Sequence, residues 1–317
     1  MAKYILKRFL QAIPTFLIIT AVVFFLSNMA PGSPLDMIKA GGELTEEAEA
    51  ALRTQYGLDR PLVIRYVTWL AQVFQGNFGI STRTQQPVWN LISERIVPTL
   101  ILSLSSLGVS LLIAIPVGVM AAVKPYSVWD NISSFLSFVG AAAPNFFIAL
   151  ILVYIFSVKL GVLPAMGMYS GNKGNDMADL LKHLILPCFV MVIQILGNFI
   201  KQTRGSMLDV LNEEYVKTAR SKGLKEGVVT VKHILRNAWI PIVASIGMTV
   251  PLLVGGATVT EQVFGWPGMG SLLILSISQR DYNTIMGITI LIAGAVLIAN
   301  LLIDLIYAYL DPRIRLD

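Results

Sequence analysis

The stretch PTLILSLSSLGVSLLIAIPVGVMAAV (residues 98–123) carries no Asp, Glu, Lys, Arg or His. After the short turn KPYSVWD (124–130), the stretch NISSFLSFVGAAAPNFFIALILVYIFSV (131–158) is equally free of charge. A hydrocarbon core of about 30 Å needs about 20 apolar residues at the helical rise. Each stretch is therefore expected to be a membrane-crossing helix, and the tight turn makes the two a helical hairpin.

Four further apolar runs extend the pattern, at residues 9–29, 184–200, 238–260 and 285–306, the last interrupted only by Asp304 near its end. Backbone groups facing lipid must be satisfied within the segment. The fold expected is thus all-α and polytopic, with six transmembrane helices and both termini on one side. The first run follows Lys3, Lys7 and Arg8, exceeds a signal-peptide core of about 7 to 15 residues and lacks an A-x-A site before Pro31, so it is expected to be a retained anchor.

Composition agrees. Of the 317 residues 55% are hydrophobic and only 14% charged, whereas soluble globular chains have about 25% charged residues. The net charge of +5 needs no nucleic-acid partner to explain it. The six-span topology puts 14 basic and 8 acidic residues on the side of the termini, against 10 and 11 on the other. The positive-inside rule then makes the terminal side cytoplasmic. The single cysteine, Cys188, lies in an apolar run and excludes an intrachain disulfide. Ser103, Ser106, Ser110, Ala114 and Gly118, and separately Gly255 and Gly256, offer small surfaces for close helix approach. Pro144, Pro187, Pro241 and Pro251 mark possible kinks.

Between the spans, residues 31–97 form an outer insertion in which Thr45 caps a short helix with Glu46, Glu47 and Glu49 in its first turn and Gly57 at its end. A Gly- and Asn-rich loop, GMYSGNKGND (167–176), is expected to be irregular. The segment TEQVFGWPGMGSLLILSISQRDY (260–282) either dips back into the bundle mouth or is a surface turn leading to the last helix. The cytoplasmic loop 201–237 is the one large loop on its side. Within it, Asn212 as N-cap, Glu213 and Glu214 in the first turn and Gly223 as a left-handed stop predict a helix of about ten residues. Tyr215, Thr218, Ala219 and Lys222 share a face that either seats in another protein's groove or is simply solvated.

Several chemistries lack their residues. There is no phosphate-binding G-x-x-x-x-G-K-[ST] loop, and His183 and His233 fall on opposite sides of the membrane, so neither ATP nor a metal nor a cofactor is expected on this chain. Ion-coupled carriers place ionisable groups inside the bundle. Asp304 alone qualifies, close to the inner interface.

In this order, APGSPLDMI, YGLDRPLVIRYVTWLAQVFQGNFGIS, PNFFIALILVYIFSVKLGVLP, EYVKTARSKGL, VFGWPGMG with RDY, and NLLIDLIYAYLDPRIR resemble the permease subunits of dipeptide and oligopeptide ABC importers of the type I, binding-protein-dependent class. The resemblance implies a first helix within residues 1–30, the outer insertion 31–97, a core of helices 2–6 over 98–308 and a cytoplasmic tail 309–317, in a prokaryotic inner membrane. It implies a non-catalytic subunit whose partners are a second homologous permease, two ATPase subunits that hold ATP and Mg, an extracytoplasmic binding protein and a peptide. Relatives with the same machinery import nickel chelates or oligosaccharides.

In that family an E-A-A-x3-G motif forms the coupling helix docked in the ATPase. Lys217, Thr218, Ala219 and Gly223 occupy its places here, with two literal matches, and Pro241 stands farther from Gly223 than the pattern has it. The implied ATPase-coupling residues are Glu213, Glu214, Tyr215, Thr218, Ala219, Arg220, Gly223 and Leu224. The implied outer gate or scoop-like loop is Phe264, Gly265, Trp266, Pro267, Gly268 and Gly270.

Overall fold

A computed structural model of the chain describes residues 2–29, 59–171 and 176–310, with Thr45, Glu47 and Thr54 between them. The short helix expected from Thr45 to Gly57 and the tail from 311 onward lie outside the described residues. Within them the helices are α1 (Ala2–Met29), α2 (Leu62–Phe74), α3 (Val88–Val123), α4 (Val128–Ala142), α5 (Asn145–Leu152), α6 (Met177–Leu211), α7 (Glu214–Ser221), α8 (Glu226–Val228), α9 (Arg236–Val263), α10 (Met269–Ser278) and α11 (Tyr282–Leu310). Two π-helical segments, Val153–Lys159 and Val229–Leu235, continue α5 and join α8 to α9. No strand occurs among the described residues, where β pairing is limited to one bridge between Ile80 and Pro87.

Helices α1, α3, α6 and α11 are long and apolar enough to cross a bilayer, and α9, 28 residues long, covers the fifth expected span. The third expected span, 131–158, is not one helix. It breaks at Pro144, which has no N–H to donate and pushes the residue before it out of the helical region. Pro144 itself is extended, with φ −63° and ψ 132°, and starts α5 afresh. Conversely, α6 overruns its apolar core of 184–200 at both ends, because hydropathy marks the bilayer and not the end of hydrogen bonding.

The chain divides into two compact units, one built on Pro98–Ser271, the other on Leu6–Val97 with Leu272–Leu297. In the first, α6 is the central rod, with α4 and α9 packed along it. Leu102, Ala114, Leu184, Met191, Ile195, Phe199, Ile200, Leu253 and Trp266 make one buried cluster. The expected small face of α3 is real: Ser103, Ser106, Ser110 and Ala114 are all buried, and Gly118 lies against Thr203 of α6. The surroundings of Gly255 and Gly256 lie outside what the structure describes. At Gly197 the α6 backbone meets the Ser137 backbone of α4 so closely that a Cβ has no room. Ser137 Oγ donates across this seam to the Gly197 carbonyl at 2.9 Å.

In the second unit α2 lies along α1 through aromatic contacts. Phe24 packs on Tyr66 and Trp69, and Tyr66 Oη pairs with Thr20 Oγ1 at 2.9 Å. A second knot joins two of the sequence segments quoted above. The buried Asp281 of RDY accepts from Ser81 Oγ (2.5 Å) and Thr284 Oγ1 (2.6 Å) through Oδ2, and from the Thr82 amide (3.2 Å) through Oδ1. Beside it, Asn283 Nδ2 donates to the Ile80 carbonyl at 2.8 Å. The carboxylate is desolvated but fully engaged, which is the condition for tolerating its burial.

Candidate functional site

The loop between α6 and α9 folds into α7 because α6 ends at Asn212 and the chain turns extended for one residue, Glu213, with φ −64° and ψ 146°. Glu213, not Asn212, is the N-cap, and its side chain makes no capping bond. The expected start was one residue early, since Asn212 serves instead as the C-cap of α6. Glu214 places an acid in the first turn, where the helix dipole favours it. It pairs with Lys217 at 2.7 Å, and Thr218 Oγ1 donates to the Glu214 carbonyl at 2.9 Å.

Helix α7 stops where expected. Gly223 follows the C-cap with φ +71°, and its amide donates to the Arg220 carbonyl at 2.9 Å. A Cβ here would meet nothing within 4 Å, so glycine is required for its dihedral and not for space. Arg220 then pairs with Glu226 at 3.1 Å, tying the end of α7 to α8.

The expected outward face needs one correction. Val216 and Ala219 are buried, packed in a cluster with Ala122, Met207, Val229, Ile234 and Ala238. They are an i, i+3 pair, so this stripe points into the chain's own bundle. Ala219 therefore belongs to the seat and not to the exposed surface. Sequence periodicity alone does not decide this, because alanine suits either face and only the packing of its neighbour Val216 chooses between them. Glu213, Glu214, Tyr215, Lys217, Thr218, Arg220, Lys222, Gly223 and Leu224 are exposed. With Val228 and Val231, 43% and 63% exposed, Tyr215 and Leu224 leave apolar surface beside the charges. Partial burial holds the Tyr215 phenol above its ordinary pKa, against a contact with Asn237. Nearby, Arg204 of α6 pairs with Asp130 at the start of α4 at 2.8 Å, so the α3–α4 turn is fixed to the same end of α6.

The second candidate region, after α9, folds back; it is no surface turn. Phe264 and Trp266 are buried. Phe264 packs with Ala149, Leu186 and Val190, and its carbonyl accepts from the Gly167 amide at 2.8 Å. Trp266 Nε1 donates to the Pro98 carbonyl at 2.9 Å. Gly265 turns the chain at φ +56°, and Pro267 leads into α10.

A residue not singled out in the sequence organises this turn. Glu261 is fully buried at the end of α9. It accepts from Thr99 Oγ1 at 2.6 Å and from the Ser271 amide at 3.0 Å, while Thr99 Oγ1 in turn accepts from the Met269 amide at 2.8 Å. Gly268 lies against the Glu261 carboxylate and Gly270 against Thr258, neither with room for a Cβ. The glycine cluster of GWPGMG is thus a close backbone wrap around one buried acid. An acid within a few residues of a glycine cluster was the available signal.

Residues 1–105 match the N-terminal part of the binding-protein-dependent transport system membrane component, and residues 114–316 match the binding-protein-dependent transport system inner membrane component. The chain belongs to this family, that of ABC importer permeases. It is 42% identical to the oligopeptide transport system permease protein AppB of Bacillus subtilis (strain 168), over 99% of this chain and 100% of that one. It is 38% identical to the glutathione transport system permease protein GsiC of Salmonella typhimurium (strain LT2), over 99% of each. Its fold is similar to that of a chain of the MetNI methionine ABC transporter in an inward-facing conformation, with a TM-score of 0.56 at 16% identity, covering 70% of this chain and 96% of that chain.

Proposed function

We propose that this chain is a peptide-conducting permease subunit of an ABC importer, a non-catalytic partner of two ATPase subunits that bind ATP and Mg, of a second homologous permease and of an extracytoplasmic binding protein. It crosses the prokaryotic inner membrane six times, with both termini cytoplasmic, the broken α4–α5 segment supplying the third crossing. Helix α7 is the coupling helix. Glu213, Glu214, Tyr215, Thr218, Arg220, Gly223 and Leu224 meet the ATPase, and Ala219 anchors the helix to its own subunit. The turn holding Phe264, Gly265, Trp266, Pro267, Gly268 and Gly270 lies at the outer mouth. The peptide cargo is carried over from the relatives' names.

The observation that carries this reading is the two-sided character of α7. One stripe, Val216 and Ala219, is locked into the bundle, while the rest of the helix surface and the turn after it keep an aromatic ring, a leucine and paired charges exposed. A helix built only to end a loop needs the first side and not the second. The placement also suits force transmission. Helix α7 follows α6 through one extended residue and leads through α8 and a π-helical segment into α9. A push on α7 therefore acts on the two rods at the centre of the first unit. Closure of the ATPases around ATP would move α7 as a rigid body and switch the bundle between inward- and outward-open states.

The test is a cross-link. With Cys188→Ser as background, Thr218→Cys should form a disulfide to a cysteine in the docking cleft of the ATPase, in an ATP-dependent manner. A Thr218→Cys that reacts only with small thiol reagents, and with no ATPase cysteine, would overturn the docking role.

A further inference from the structure

Helix α6 changes the side it exposes halfway along its length, and the chemistry changes with it. In the half nearer Met177, Leu181, Ile185 and Phe189 form an exposed apolar row that recurs every four residues on one face, with the exposed Lys182 beside its start. In the half nearer α7, a polar row is open instead, with Gln194 half-buried and Asn198 and Lys201 exposed, and Gln202 exposed beside its end. At about 100° per residue, this second row lies about half a turn from the first. The sector holding Gln194 and Asn198 is buried one turn earlier, at Pro187 and Met191.

An exposed carboxamide within an apolar span is costly against hydrocarbon, so the second row faces water or a polar ligand. The row borders a cleft of about 160 Å³ lined by Ser137 of α4, Gln194, Ile195, Gly197, Asn198 and Lys201 of α6, and Thr249 of α9. Ser137 and Thr249 have committed their protons to backbone carbonyls of their own helices and of Gly197, so toward the cleft they only accept. Among the described residues, no side-chain hydrogen bond or ion pair engages Gln194, Asn198 or Lys201. The cleft thus offers free donors and acceptors, one cation and no carboxylate. It is smaller than the roughly 300 Å³ at which ligand pockets begin, so to pass a peptide it would have to be one wall of a larger passage completed by another subunit.

We infer that Gln194, Asn198 and Lys201 line the peptide path, the two carboxamides pairing with main-chain amides and Lys201 with the free C-terminal carboxylate. This rests on the peptide reading above. Main-chain pairing tolerates any side-chain sequence, and a cation at the end of the row nearest α7 orients an anionic terminus. The competing occupant of the polar face is a helix of the second permease, which would leave it closed to water and to cargo.

The experiment uses the complete transporter in proteoliposomes, with a casein digest of short peptides and the same digest methyl-esterified. In the Cys188→Ser background, Asn198→Cys should react with a sulfonated methanethiosulfonate about tenfold faster than Phe189→Cys, because thiolates form poorly in an apolar medium. The unesterified digest should slow that reaction. If Asn198→Cys fails to insert, Gln194→Cys carries the same measurement. Lys201→Gln should raise KM for the free digest about tenfold, the scale of a charge-assisted hydrogen bond, and leave KM for the ester unchanged. Equal inertness of Asn198→Cys and Phe189→Cys would overturn the assignment in favour of a covered face. So would labelling that peptide does not slow, or a Lys201→Gln effect equal for both digests. A wild-type complex that takes up neither digest would overturn the peptide reading itself, an outcome distinct from uptake without protection.

Discussion

Two glycine-containing turns in the first unit, one after the eight-residue α7 and one after the 28-residue α9, are built on opposite principles. After α7, Gly223 adopts a left-handed dihedral in open surroundings, flanked by exposed charges and by Leu224. After α9, Gly268 and Gly270 are hemmed in by the buried Glu261 and Thr258, and the Thr99 hydroxyl and Ser271 amide donate to one carboxylate while the Met269 amide donates to that hydroxyl. One turn keeps its surface for something outside the chain. The other consumes its surface within the chain. The same residue type thus marks a docking element in one place and a rigid joint in the other, and substitution separates the two.

The largest effect is expected at Gly268→Ala. The added methyl meets the Glu261 carboxylate, which can give way only by leaving the Thr99 hydroxyl and the Ser271 amide, so the substitution should cost about 3 kcal/mol through overpacking and a buried carboxylate stripped of its partners. Thermal unfolding followed by size-exclusion chromatography should show early loss of folded protein. An unchanged profile would mean the turn is loose and the contrast with Gly223 unfounded.

Next comes Tyr215→Ala. An aromatic anchor at a protein interface typically contributes about 2 kcal/mol, a weakening of about 30-fold in ATPase association. The isolated subunit should melt normally, because Tyr215 is exposed. Unchanged co-purification with the ATPase would remove Tyr215 from the interface. A smaller effect is expected at Gly223→Ala, about 1 kcal/mol for forcing a side chain into the left-handed region. Gly223→Asn should recover most of it, since asparagine tolerates that region. Equal losses in both variants would point to space instead of dihedral as the constraint.

The parts of this fold legible in the sequence are those decided by one-dimensional patterns. Apolar runs located α1, α3, α6, α9 and α11, and Gly223 located the end of α7. The break at Pro144 was half legible: the proline was visible, but whether it kinks or ends a helix depends on whether neighbouring groups satisfy the freed carbonyls, and those neighbours are distant in sequence. The buried acids were not legible. Glu261 and Asp281 stand beside apolar runs with nothing local to say they are inside. What permits their burial is Thr99 for one and Ser81 for the other, each well over a hundred residues away. Likewise Ala219 was assigned to the right helix and the wrong side, because the side is chosen by Met207 and Ile234 and not by alanine itself.

The smallest effect sharpens the comparison from the exposed side. The Glu214–Lys217 pair is short, 2.7 Å, but its side chains are 86% and 58% exposed, and such pairs contribute little because water screens them and ordering two long side chains costs entropy. Glu214→Gln should therefore leave the melting curve of the subunit unmoved, in contrast to any change at the buried Glu261. If α7 docks on a partner, the same substitution should still alter the salt dependence of ATPase association, because rim charges steer encounter more than they hold the complex. A variant silent in both measurements would reduce the pair to solvated surface. A variant that unfolds the subunit would show that the two turns are less different than their surroundings indicate.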